Sequence, residues 1–345
     1  MLTETMISNA RVTRSMAPTQ KHTIDAWPSN SSVSGSMDIS PMPAAKKYKS
    51  FHTYEAMDIT PQKANTRVPE VARPFMVHKG LDKMWGVCSE EVEGLMRQRE
   101  NLHREYKPAA KWLQFRRVLV DWMCEAGDEF NLKLSTMHVS VMLLDRILHN
   151  TSVTRNKLQL VAIACILIAA KYEETEEAVP SLSDMNRYAQ WAYDQDQIYH
   201  MEIMVLNKLN WCLGTYTPLH FAGYYMSKGV LFHPDTMQGR PLVKKVPGYL
   251  KRYVEFFADL CLQDYSFQKY SPSLMAAAIV MASRKALSIG PIWRPELSAL
   301  CKYEEEEVRP CFAAIWECYR SSFPAAQGTE DEYTISPTSI ASGPQ

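Results

Sequence analysis

Four charged residues stand where charge is costly. Arg116 falls within Phe115-Arg116-Arg117-Val118-Leu119-Val120-Asp121-Trp122, and Asp145 within Leu143-Leu144-Asp145-Arg146-Ile147-Leu148. Lys171 closes a long apolar run, and Glu202 interrupts the apolar stretch from Ile198 to Leu209. Water solvates a charge far better than an apolar interior does, so an unpaired charge in such helices is prohibitive. On pattern alone, Lys171 and Glu202 fit two readings equally: a salt bridge within a bundle, or a site that meets a partner. Phe115, Val118, Leu119 and Trp122 recur at helical spacing and form one stripe. Core packing is the default for such a stripe. Leu113, Val120 and Met123 give the same segment a second apolar side, which can leave one stripe over for a partner.

Catalysis has no comparable footing. The chain lacks a phosphate-cradling glycine loop, a Gly-x-Ser-x-Gly elbow and a His-Glu-x-x-His pair, and also the His-Arg-Asp and Asp-Phe-Gly of a kinase. Its nine histidines are dispersed; an isolated one such as His138 or His220 is more often packed or exposed than a base. Eight cysteines stand singly (Cys88, Cys124, Cys165, Cys212, Cys261, Cys301, Cys311 and Cys318) with no Cys-x-x-Cys pair. Several sit in apolar helical patterns, where a thiol acts as a small hydrophobe. The expectation is no metal, no cofactor, a reducing compartment and no intrinsic enzyme activity. The 345 residues are 46% hydrophobic and 22% charged with no formal net charge. That length suits about two domains. The charge balance gives no general attraction to nucleic acid or anionic membrane. The N-terminus has no secretory pattern, and the longest apolar run, Leu158 to Ala170, is too short to cross a bilayer. A soluble intracellular protein is expected.

The elements that must position these residues are helices. Residues 1–85 are rich in Ser, Thr, Pro, Met and Lys and read as a disordered tail, as do residues 324–345. Between them, Ser89-Glu90-Glu91 opens a helix with a capping hydroxyl and two acids, running to about Tyr106. Further helices are expected from about Lys111 to a stop at Gly127, and from about Thr136 to His149. The next, about Arg155 to Tyr172, is apolar or small almost all round and must be surrounded by others. Two more follow, about Ser181 to Trp191 and Asp194 to Leu209. Thr217-Pro218 and Ser271-Pro272 each pair a cap with a proline in the first turn. The second opens another small-residue helix, Leu274 to Ala282. Two helical blocks with similar centres form a weak internal repeat, and strand-like alternation is nearly absent. The expected fold is all-α.

In order and spacing, four segments resemble the cyclin box: Phe115 to Glu125, Leu143 to Leu148, Lys157 to Glu174, and His200-Met201-Glu202-Ile203-Met204-Val205-Leu206. The resemblance is strong from about Ser89 to Leu213 and looser to about Tyr319. Within the family the pattern is most similar to J-type cyclins, with A-type cyclins as relatives. It implies two tandem cyclin-fold bundles of about five helices each, the first within residues 86–215 together with a preceding N-terminal helix and the second over 216–323.

The resemblance also assigns residues. Arg116 and Asp145 match the family's internal ion pair, and Leu160 a core leucine. Lys171 and Glu202 match residues that contact the regulatory helix αC of a cyclin-dependent kinase, with Tyr172, Glu173 and Glu174 on the rim of that surface. Phe115, Val118, Leu119 and Trp122 match the lining of a shallow groove for substrate and inhibitor peptides, flanked by Glu125, Arg155 and Gln159. Such a groove suits a basic residue followed by a leucine. Phe115 stands where A-type cyclins have methionine, and Arg117 replaces a small residue, which bears on peptide preference. The implied partner is a cyclin-dependent kinase in a heterodimer, with no nucleic acid and no membrane. The implied role is cell-cycle control, mainly in the nucleus and also in the cytoplasm. Thr60-Pro61-Gln62-Lys63, Ser40-Pro41 and Ser336-Pro337 are candidate proline-directed phosphorylation sites; Lys46-Lys47-Tyr48-Lys49 is too short to establish nuclear import. The alternative is a cyclin-fold scaffold or transcription-factor-like module that activates no kinase. A zinc ribbon like that of general transcription factor IIB has no cysteines to build it before Cys88.

Overall fold

The computed structural model describes residues 22–23, 74–75, 89–102 and 105–323. Helix α1 (Ser89–Arg99) precedes two bundles of five helices. The first contains α2 (Leu113–Glu129), α3 (Leu134–Asn150), α4 (Leu158–Glu173), α5 (Leu182–Tyr188) and α6 (Gln195–Lys208). The second contains α7 (Pro218–Lys228), α8 (Val246–Gln263), α9 (Pro272–Ala286), α10 (Pro295–Cys301) and α11 (Glu305–Ser322). The two-residue strands Thr236–Met237, Arg240–Pro241 and Ile289–Gly290 form a small antiparallel patch in the second bundle. The all-α expectation of paired bundles behind a leading helix is met.

Each bundle is built around its small-residue helix. In α4 every residue from Leu160 to Ala170 is buried, as is Leu158, and α2, α3 and α6 pack around it. In α9 Met275 to Ala282 are buried beneath α7, α8 and α11. Alanines at these centres let neighbouring helices approach closely, and the isoleucines and leucines fill the remaining space. The cap-and-proline starts hold: Ser271 Oγ accepts from Leu274 N, and Thr217 pairs with His220 across the first turn of α7. Burial keeps His220 neutral, with its pKa pushed down to about 4.

Several boundaries differ from the sequence reading. Helix α1 ends at Arg99, because Glu100 turns towards the second bundle. Its carboxylate accepts from Ser273 N (2.8 Å) and Ser273 Oγ (3.0 Å) in the first turn of α9, where an anion suits exposed N–H groups. Helix α2 does not stop at Gly127 but continues to Glu129. A Cβ at Gly127 would lie 2.6 Å from Met137 Sδ, so this glycine serves a close approach of α2 to α3. The start expected at Arg155 is a 3-10 turn (Arg155–Lys157) leading into α4.

The bundles meet along α2, α3 and α8. Arg116 donates to the carbonyls of Leu262 (3.0 Å) and Gln263 (3.2 Å) at the end of α8. His138 Nε2 meets Asp259 Oδ1 at 3.1 Å, and His149 Nε2 meets the Tyr265 hydroxyl at 2.6 Å. No disulfide joins the seven described cysteines.

The Gly127–Met137 contact gives a first prediction. Gly127→Ala should cost about 1–3 kcal/mol through overpacking. A Gly127→Ala, Met137→Ala double mutant should lose less than the sum of its singles, because the methionine that clashes is gone. Urea unfolding of the four proteins measures both; additive losses would contradict the contact.

Candidate functional site

Lys171 lies in the last turn of α4 and Glu202 in the middle of α6. Lys171 Nζ donates to Glu202 Oε1 at 2.5 Å. The glutamate side chain is 6% exposed and the lysine side chain 51%. The ion pair is therefore present, and its lysine lies at the surface. The buried carboxylate holds the ammonium in place, while further N–H groups of that ammonium remain able to face a partner.

Large apolar groups on and just beyond these two helices are left uncovered. Tyr172 is 54% exposed and Trp211 62%. Tyr199, Ile203 and Asn207 recur four apart along α6, and Trp211 continues the row just beyond its end, with Nε1 donating to Asn207 Oδ1 at 3.2 Å. Asn210 and Trp211 both adopt left-handed backbone, with φ of 51° and 57°. That conformation is uncommon for a bulky residue. It ends the helix and leaves the indole outside the core. The following segment passes Tyr172, whose hydroxyl is 3.8 Å from where a Cβ on Gly214 would sit. Beside Lys171 a cleft of about 470 Å³ opens, walled by Leu167, Val179, Pro180 and Leu182.

The two glutamates after Tyr172 differ. Burial raises the pKa of Glu173, against the opposing charge of Lys133. Glu174 caps α3: its carboxylate accepts from Lys133 N (2.7 Å) and Thr136 Oγ1 (2.5 Å) and pairs with Lys133 Nζ (2.7 Å). Burial works against its charge, yet those bonds hold its pKa below the usual carboxylate range. Its carboxylate is thus committed to the bundle, although the residue also borders the cleft.

The α2 stripe divides. Leu119 and Trp122 are buried in the first core, Phe115 is half-buried, and Val118 is 48% exposed. The Arg155 guanidinium lies over the Phe115 ring, 5.2 Å from its centroid. Gln159 Oε1 accepts from the Tyr193 hydroxyl at 3.3 Å. The Trp122 ring meets Tyr188 at 5.6 Å. Burial, with the carboxylates Glu125, Glu129 and Asp128 nearby, pushes the Tyr188 pKa up to about 12. Arg116 and Asp145 form a bidentate buried pair, Nε to Oδ1 and Nη2 to Oδ2, both at 2.9 Å. Ser40, Thr60, Ser336, Cys88 and the Lys46–Lys49 stretch lie outside the described residues.

Two adjoining domain families match the chain: the cyclin N-terminal domain over residues 84–214 and the cyclin C-terminal domain over residues 216–337. The chain belongs to the cyclin family. It is 31% identical over 244 residues to Cyclin-J of Xenopus laevis, covering 68% of this chain and 63% of that protein. It is 32% identical over 237 residues to Cyclin-D of Ostreococcus tauri, covering 66% of this chain and 63% of that protein. The chain thus spans less than two thirds of the length of these relatives. A viral cyclin from herpesvirus saimiri shares the fold with a TM-score of 0.55 at 18% identity, over 68% of this chain and 99% of that one. Members of the family are regulatory subunits of kinases rather than enzymes.

Three residues of this cyclin escaped the sequence reading. Tyr188 sits on a short helix with no periodicity to mark its contact with Trp122. Tyr199 falls within the helix expected from about Asp194 to Leu209, and Trp211 lies just past its expected end. Only the four-residue spacing from Tyr199 through Asn207 to Trp211, set against the buried Ile198, Met201, Val205 and Leu206, separates their outward row from the inward one.

Glu174 yields a pH prediction. Its depressed pKa contributes stability above the ordinary glutamate range, and that contribution is lost as pH falls through the folded value. Glu174→Gln should therefore be less stable than wild type at neutral pH, with the gap closing as pH falls below the ordinary glutamate range. Urea midpoints across that range test it; a gap that stays constant would contradict it.

Proposed function

We propose that this cyclin binds and activates a cyclin-dependent serine/threonine kinase through the face formed by Lys171, Tyr172 and Trp211, with Glu202 beneath it. The observation that carries this reading is a half-exposed lysine fixed on a buried glutamate and flanked by uncovered aromatic rings. Monomeric proteins rarely leave such a group of rings in water without use, and buried aromatic anchors dominate interface energetics. The cleft beside Lys171 offers an apolar recess for a side chain of the partner. A kinase needs the lysine of its third strand paired with a glutamate on αC. A cyclin packed on αC favours the inward position because it binds that arrangement better than the outward one. The cyclin supplies contact area and contributes no catalytic group.

The same reading gives the α2 groove to substrate or inhibitor peptides with a basic residue followed by a leucine. Phe115 and Val118 supply accessible apolar surface, and Glu125 a carboxylate at its edge. Control of cell division in nucleus and cytoplasm follows as part of this proposal.

Reversing the pair, Lys171→Glu with Glu202→Lys, keeps opposite charges facing each other while inverting the sign shown to a partner. With folding verified by circular dichroism, kinase affinity should fall at least tenfold, about 1.4 kcal/mol, and activation with it. Unchanged activation by the reversed pair would remove this face from the account, and a folded wild type that activates no kinase would favour the scaffold alternative. Val118→Asp, at an exposed position, should lower phosphorylation of a substrate bearing a basic-x-Leu segment. It should leave a short peptide substrate without that segment unaffected; equal effects on both would remove the groove from the account.

A further inference from the structure

A small cavity of about 30 Å³ lies where α1, α3 and the connection between the bundles meet. It has room for about two waters or one small anion. Arg146 lines it, and this residue is only 9% exposed. Its guanidinium donates to Thr215 Oγ1 at 3.1 Å and touches the Cys212 thiol. Among the described residues it has no carboxylate partner. A buried cation without an anion is costly, and burial lowers the pKa of Arg146 accordingly. Arg99 reaches the same cavity from α1, and it too forms no ion pair among the described residues.

The acids around the cavity have other partners. Asp145 is held by Arg116 through both oxygens, Glu100 by the amide and hydroxyl of Ser273, and Glu105 by Lys107. His149 shares its Nε2 with the Tyr265 hydroxyl, and burial pushes its pKa down, so it adds no charge at neutral pH. Arg146 and Arg99 are thus the groups whose charge is left over.

We infer that this cavity binds a small oxyanion of the phosphate or sulfate class, held between the guanidinium groups of Arg146 and Arg99. Planar guanidinium forks match the oxygens of such an ion in paired hydrogen bonds. A bound ion would tie α1 to α3 at the junction of the two bundles. It would also stiffen the connection through Gly214, which lines the cavity and adjoins Tyr172. The inference stands independently of any kinase partner.

Thermal unfolding of the full chain tests it, at constant ionic strength, with inorganic phosphate and in parallel with O-phospho-L-serine. Wild type should gain several degrees in Tm along a saturating curve, as expected when a ligand binds the folded state alone. Arg99→Gln, an exposed change that should fold normally, and Arg146→Gln should each weaken the apparent affinity at least tenfold. Arg309→Gln, an exposed change on α11 outside the cavity lining, should behave as wild type. Saturation by phosphate alone identifies a free ion as the ligand, and saturation by both compounds identifies a phosphorylated side chain as a further occupant. A rise that never saturates and is equal in all four proteins is a general salt effect, and overturns the inference, as does no rise at all.

Discussion

The arrangement of this molecule hangs on one guanidinium. Arg116 meets both oxygens of Asp145 in α3 and the last carbonyls of α8, with the Tyr265 ring 5.4 Å from its centre. Taking a charge out of water costs several kcal/mol, which is offset only when every donor finds an acceptor. Here a full negative charge and the negative end of a helix are both at hand. The same cation therefore fixes α2 against α3 and the first bundle against the second. Losing either charge of the pair would leave the other buried without compensation, so the packing within and between the bundles shares a single electrostatic constraint.

The candidate site inherits its geometry from that frame. Helix α4 is enclosed along almost its whole length, so the position of its last turn is set by the core. Lys171 stands at that turn, and Glu202 comes to it from α6, another helix packed on α4. Neither side chain selects its own position. Glu174 adds a further tie, since its carboxylate closes the start of α3 and holds the segment after Tyr172 against the bundle. A surface meant to bias the conformation of a partner benefits from being rigid, because a partner that had to order it would lose part of the binding energy.

Most of the fold could be read from the sequence, for particular reasons. The small-residue runs in α4 and α9 announce helices with neighbours on every side, and Thr217-Pro218 and Ser271-Pro272 mark the starts of α7 and α9 with little ambiguity. Gly127 misled because a glycine gives the same local signal at a helix end and at a tight helix crossing; only Met137, a residue of another helix, distinguishes the two. Glu100 misled in a similar way, since what ends α1 is an acceptor role in a helix far along the chain. Within the candidate site, charge in an apolar context pointed to Lys171, Glu202, Arg116 and Asp145. The aromatic rows were illegible, because one pattern of apolar spacing describes both a buried face and an uncovered one. The division of the α2 stripe, with Trp122 in the core and Val118 outside, has the same origin.

Hydrogen–deuterium exchange of the full chain, alone and saturated with an activated cyclin-dependent kinase, tests the central claim most directly. The account predicts added protection over residues 167–176 and 199–214, with little change along α11 of the second bundle. Protection confined to the second bundle, with residues 167–176 unchanged in a verified complex, would show that the Lys171 face is not the kinase-binding surface.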